Sequence, residues 1–194
     1  MSLPISNVIT SNLLPKLFQN IIDKYYNENA ALRHILVTHS QSVAQLALQI
    51  ASLHPELHID TDFVRDAAML HDIGIVLTNA PGIECYGTEP YIRHGVCGAE
   101  MLRKEGVDER YARVCERHTG AGLTLDDIVN QNLPLPHTSL VPETMEEKLI
   151  CYADKFFSKT HLDRQKTVEQ AEKSLAKFGG DTIERFREMR RLFE

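Results

Sequence analysis

The sequence predicts an all-α fold interrupted by two long irregular loops. Apolar residues recur at helical spacing almost throughout, strand signals are scarce, and no repeat, low-complexity run or linker divides the chain. With 194 residues, 43% of them apolar, the chain suits a single domain over 1–194 that buries a core unaided and is too apolar for disorder.

Leu14, Leu17, Phe18, Ile21 and Tyr25 trace one face of a first helix, and His39, Val43, Leu46, Ala47 and Ile50 trace a second. Asp60 or Asp62 can cap a third, with Phe63, Ala67 and Leu70 inward and Gly74 as its stop. A fourth runs from about Arg93 to Gly106 with Val96, Ala99 and Leu102 inward. A fifth starts at the cap Asp108 and carries Tyr111, Val114, Cys115 and His118. Thr144 and Glu147 form a capping box that opens a helix bearing Leu149, Ile150, Ala153, Asp154 and Phe157. Two more follow, Thr167 to Phe178 and Asp181 to the end, parted by Gly179 and Gly180. The last has four Arg and four acidic residues on its polar side, a salt-bridged face rather than a basic patch. Its apolar side (Ile183, Phe186, Met189, Leu192, Phe193) docks on the domain or on a second subunit of a homo-oligomer. Ile73 to Leu77 reads as a short extended piece without a partner. The irregular segments are 75–91 and 120–143, lengths that belong more often to functional lids than to spacers. Within the second, Thr124 caps a short helix with Asp126 and Asp127 in its first turn.

A net charge of −6 makes the chain a poor generic binder of nucleic-acid polymers or anionic membranes. Cys85, Cys97, Cys115 and Cys151 form no CxxC pair and read as buried hydrophobes in a reducing compartment. The N-terminus lacks the basic start and apolar run of a secretory signal, and no membrane-length apolar stretch exists, so a cytoplasmic location is expected.

The chemistry lies in the nine histidines. His71 and Asp72 are adjacent at the end of the third helix, a ligand pair suited to a borderline divalent metal, although an HD dipeptide alone means little. His39, His118 and Asp154 fall on inward stripes, and His94 opens the fourth helix. An apolar-face histidine is ordinarily a satisfied core residue, but an inward carboxylate needs a partner or a metal. Several helices placing His or Asp inward favour one convergent metal site over separate buried polar groups. His34, His54, His58, His137 and His161 fall at helix ends or in loops and read as solvated.

These residues, in the runs HSQSVAQLA (39–47), HDIG (71–74), His94 with GVCGAEML, RHTGAG (117–122) and CYADKF (151–156), resemble the HD-domain superfamily of metal-dependent phosphohydrolases over about residues 30–160. The similarity is greatest to small stand-alone HDIG proteins. The resemblance implies an HD-domain helical bundle in which His39, His71, Asp72 and Asp154 hold one metal. Asp72 then bridges to a second, completed by His94 and His118, which single-metal members lack. It further implies a hydroxide shared by ions about 3.5–4 Å apart, attacking phosphorus in line. The ligand chemistry suits Fe, Mn, Co, Ni or Zn better than Mg or Ca.

One departure stands out. Many such phosphohydrolases continue HDIG with a Lys, where this chain has Ile75. A cation for phosphate must come from elsewhere: first Lys155, which with Asp72 forms the expected catalytic pair, then Arg93 and Lys159. Each also reads as a solvated surface charge. The turn Thr119-Gly120-Ala121-Gly122 either brings N–H groups to an anion or, the plainer reading, stops the helix after His118. Tyr86 and Tyr91 cover a substrate or pack the lid. The leading function is hydrolysis of a nucleotide or other small phosphorylated metabolite. The rivals are a mixed-valent diiron oxygenase resembling myo-inositol oxygenase, which has the same six ligands, and a non-catalytic nucleotide sensor. Two divalent ions against two carboxylates leave a buried positive spot, so an acidic chain can still hold an anion there.

Overall fold

The computed structural model describes residues 16–194. Leu14 of the first apolar stripe lies outside the described residues. The remainder is helical as expected. The order is α1 (Lys16–Tyr26), α2 (Ala30–Leu53), α3 (Thr61–Leu70), β1 (Thr78–Ala80), β2 (Cys85–Tyr86), β3 (Glu89–Pro90), α4 (His94–Lys104), α5 (Glu109–Arg117), α6 (Leu125–Asn130), α7 (Met145–Asp154), α8 (Val168–Leu175) and α9 (Gly180–Phe193).

The caps fall where the polar residues stand. The Asp60 carboxylate accepts from the Phe63 N–H to start α3, Asp108 caps α5, and Thr144 with Glu147 closes a full capping box on α7. Thr124 and Asp127 do the same for α6, and Arg185 of α9 ties to that Asp127 at 2.7 Å. The apolar face of α9 is absorbed by its own chain: Phe186 stacks on Tyr152 of α7, and Met189 and Phe193 are buried.

α2 packs on α3 and α7, while α4 packs on α5. Two apolar clusters share α2 and α3. Leu36 and Leu70 belong with α1, α4 and α5, whereas Val43 and Ala67 belong with α7, α8 and α9. His39 sits on α2 between Leu36 and Val43, at the junction of the two clusters.

Three expectations are corrected. Residues Ile73–Leu77 form a 3₁₀ turn, and the extended backbone comes next, with β1 between β2 (antiparallel) and β3 (parallel). The Tyr26 hydroxyl holds the turn, donating to Ile73 O at 2.6 Å and accepting from Val76 N at 3.3 Å. Nor is Gly74 the stop of α3, which ends earlier, at Leu70. Gly74 is needed for close approach: a Cβ there would lie 2.2 Å from His94 O and 2.3 Å from Gly98 N. The segment 75–91 thus carries a small sheet that packs on the 3₁₀ turn, which itself packs on α4, rather than an irregular loop. The segment 120–143 is fastened at its base by paired hydrogen bonds between Leu123 and Leu140.

Candidate metal centre

Five of the six expected ligands stand at helix ends. His71 and Asp72 follow α3, His94 opens α4, His118 follows α5 and Asp154 ends α7, while His39 comes from the middle of α2. Three helix C-termini thus meet at one point, and their partial negative charge favours a cation there. All six residues are buried.

The side chains fall into two groups with Asp72 common to both: His39, His71, Asp72 and Asp154, and Asp72, His94 and His118. Asp72 Oδ2 lies 3.1 Å from His39 Nε2 and 3.0 Å from His71 Nε2, while its Oδ1 lies 3.4 Å from Nε2 of both His94 and His118. Asp154 Oδ1 completes the first group, 2.9 Å from His39 Nε2 and 3.5 Å from His71 Nε2.

Three of the histidines are oriented alike. Nδ1 of His71 meets Ala68 O at 2.6 Å, that of His94 meets Tyr91 O at 2.8 Å, and that of His118 meets Cys115 O at 2.7 Å. Each carbonyl fixes the ring proton on Nδ1, and the Nε2 lone pair then faces the centre. The lone pairs of His94 and His118 approach to 3.0 Å with no proton assigned between them. His71 Nε2 and both Asp72 oxygens are buried without a hydrogen bond of good geometry. The neutral His94 and His118 lone pairs and Asp72 Oδ1 are acceptors close enough to repel one another, and a divalent cation removes the conflict. The residues therefore fit the metal ions that the His/carboxylate set implies.

Burial, and after it the neighbouring His118, pushes the His94 imidazole down to about 3, and His118 is likewise lowered by burial. Burial also opposes a charge on His71, but Asp72 and Asp154 outweigh it and carry that ring up to about 9. Burial would raise both carboxyls. His71 and Lys159 hold Asp72 well below the usual range, and Lys155 with His39 does so for Asp154.

A cleft of about 780 Å³ opens over His94, His118 and Asp154. Lys155 is brought to it, with Nζ 2.6 Å from Asp154 Oδ2 and donating to His118 O at 2.9 Å. Lys159 Nζ lies 2.6 Å from Asp72 Oδ2, an ion pair off hydrogen-bonding geometry. Tyr91 lines the cleft and stacks on His94, centroids 4.8 Å apart at 19°, while Tyr86 is exposed and bonds to Glu84. Arg93 is not brought to the cleft. Its guanidinium turns to Glu89 at 2.7 Å and donates to Pro134 O at 2.8 Å, strapping segment 75–91 to segment 120–143. In the turn after His118, Gly120 and Gly122 have φ of +63° and +81°. Sequence reasoning missed Lys166 and Lys177 at the cleft, since neither follows a motif or stands beside a ligand.

Residues 36–158 match the HD domain family. The chain is 38% identical over 136 residues to a tRNA (cytidine(56)-2′-O)-methyltransferase of Picrophilus torridus, covering 70% of this chain and 34% of that one. The corresponding enzyme of Thermoplasma volcanium is 36% identical over 140 residues, covering 72% of this chain and 36% of that one. The chain thus spans about a third of these relatives. An uncharacterized protein of Methanocaldococcus jannaschii is 36% identical over 145 residues, 73% of this chain and 78% of that one. Among solved structures, the HD domain of the L. monocytogenes phosphodiesterase PgpH shares the fold, with a TM-score of 0.52 at 16% identity over 87% of this chain and 94% of that one. The same domain, in complex with cyclic-di-AMP, superposes equally well, with a TM-score of 0.52 at 16% identity over 88% of this chain and 92% of that one. By the match over 36–158 and the helical architecture, the chain belongs to the HD domain family.

Proposed function

We propose that the chain is a metal-dependent phosphohydrolase acting on a nucleotide or another small phosphorylated metabolite at a dinuclear centre. One observation carries the reading: the two oxygens of Asp72 are divided between two ligand groups, Oδ2 toward His39 and His71, Oδ1 toward His94 and His118. When bound, two divalent ions lower the pKa of water toward neutrality and stabilise charge on phosphoryl oxygens. His39, His71, Asp72 and Asp154 would hold one ion, and Asp72, His94 and His118 the other.

The chain's own residues do the rest. Main-chain carbonyls keep the three Nε2 atoms aimed at the centre; His94 and His118 are held neutral there, while His71 gives up its Nε2 proton when a metal binds. Ile75, in place of the lysine common in similar phosphohydrolases, is fully buried among apolar neighbours and cannot reach phosphate. The cations stand instead at Lys155 and Lys159, on the wall of the cleft beside Asp154 and Asp72. Lys155, anchored by His118 O, and Lys159 bind phosphoryl oxygens of the substrate. The cyclic-di-AMP bound by the PgpH domain supports a phosphorylated ligand of this size.

The test is phosphate or nucleotide release by the metal-loaded protein across mononucleotides, dinucleoside polyphosphates and cyclic dinucleotides, with Asp72→Ala as control. Release that Asp72→Ala abolishes is expected. A fully metallated chain silent across the panel, holding two irons and giving a mixed-valent signal on partial reduction, would move the assignment to oxygenation.

A further inference from the structure

Four lysines line the cleft, and they differ in what they are paired with. Lys155 and Lys159 are bound to the ligand carboxylates Asp154 and Asp72. Lys166 and Lys177 line the same cleft with no ion-pair partner among the described residues. Lys166 is half-buried, and its main-chain N–H bonds to Phe156 O at 2.8 Å, which places it beside Phe157 of the cleft wall. Lys177 stands at the exposed rim, its ammonium 4.9 Å from the centroid of the Phe178 ring. That ring in turn lies against the turn after His118, 3.6 Å from where a Gly120 Cβ would stand. From the His118 end outward, the wall therefore runs from metal ligand to aromatic face to unpaired cation.

Gathering like charges without a counter-charge costs free energy, and burial with the charges of Lys155, Lys159 and Lys177 lowers the Lys166 ammonium below its usual range, against the opposing Asp154. An anion among them removes that cost. Flat aromatic faces between two positive regions suit a base carried between two phosphates.

We propose that Lys166 and Lys177 form a second anion subsite, holding a phosphate other than the one attacked, on a nucleotide whose base lies against Phe157 and Phe178. This substrate class, a nucleotide with at least two phosphates, rests on the hydrolase reading for what happens at the centre. It does not rest on it for binding.

The experiment titrates AMP, ADP and adenosine 3′,5′-bisphosphate into the Mn-loaded protein by calorimetry, with phosphate release followed in the same samples. At least one of the two bisphosphorylated nucleotides is expected to bind about tenfold or more tighter than AMP, roughly the value of one well-placed charge contact. The double variant Lys166→Gln, Lys177→Gln should cancel that advantage and leave AMP binding within about twofold, because neither side chain touches the centre. Both positions are partly or fully exposed, and an unchanged melting temperature confirms the variant's fold. An advantage that survives the double substitution, or no binding of any of the three, overturns the subsite. Tighter binding of a bisphosphate without release, cancelled by the double substitution, would support the subsite while counting against the hydrolase reading. Release indifferent to Lys166 and Lys177 would sink the subsite alone.

Discussion

The Nε2 atoms of His94 and His118 face each other at 3.0 Å while both rings spend their Nδ1 protons on main-chain carbonyls three residues upstream. Two lone pairs so placed repel unless a cation lies between them and Asp72 Oδ1. Either His94→Ala or His118→Ala should therefore halve the metal content, from two ions per chain to one, as read by elemental analysis of gently purified protein. Phosphate release should fall by about 100-fold or more, the scale of losing charge stabilisation at phosphorus. Two ions retained in both variants would show that the second group is not a ligand set.

Gly74 and the first turn of α4 are in backbone contact, and this contact positions His94. A Cβ at Gly74 would stand 2.2 Å from His94 O and 2.8 Å from Gly98 Cα, main-chain atoms that yield only if α4 moves. Gly74→Ala should destabilise the fold by about 3 kcal/mol, the upper range for overpacking, and shift His94 out of register. Denaturant unfolding measures the first effect and metal content the second. A variant within about 0.5 kcal/mol of the parent would show that the helix adapts freely.

The buried His/Asp cluster was legible in the sequence because burying a carboxylate without a partner is costly, so Asp154 on an inward stripe signalled something that needed it, and the adjacent His71 and Asp72 supplied a pair to meet it. Their order along the chain then supplied the resemblance. The role of Gly74 was not legible, since a glycine after a helix reads as a stop and its true neighbours, His94 and Gly98, are remote in sequence. The sheet escaped because strands of two and three residues carry no alternation to read. Lys155 and Lys159 stood out beside a ligand and one turn beyond, whereas Lys166 and Lys177 reach the cleft only through the path of the chain after α7. Arg93 misled for the opposite reason: adjacency to His94 put it near the site in sequence, and Glu89 with Pro134 O drew it away.

Lys159 places its ammonium 2.6 Å from the very oxygen of Asp72 that faces His39 and His71. A cation bound by those groups must compete with it. Lys159→Ala should tighten metal binding in the first site by about tenfold, read by competition with a chromophoric chelator, while weakening nucleotide binding. Unchanged metal affinity would mean that the ammonium leaves Asp72 without cost.

Stability against pH tests the charge state of the centre itself. In the folded, metal-free chain His94 titrates near 3 against 6.5 when unfolded, so between those values the unfolded chain binds the extra proton and stability falls as the medium is acidified. The depressed carboxyls of Asp72 and Asp154 act in the same direction, their contribution present above 3.8 and lost as pH falls toward their folded values. His71 does the reverse. Its folded value is near 9, so its contribution is complete below 6.5 and disappears as pH rises through 9. Metal-free protein should thus be most stable near pH 6.5 and lose melting temperature on both sides. Metal ions require the imidazoles to be deprotonated, so loading the centre should remove the alkaline decline and steepen the acid one, where protons compete for His39, His71, His94 and His118. Differential scanning calorimetry with chelator and with Mn gives both curves. A metal-free melting temperature that rises from pH 6.5 to 9 would show that His71 is neutral beside Asp72, and that the centre is held by hydrogen bonds instead of charge.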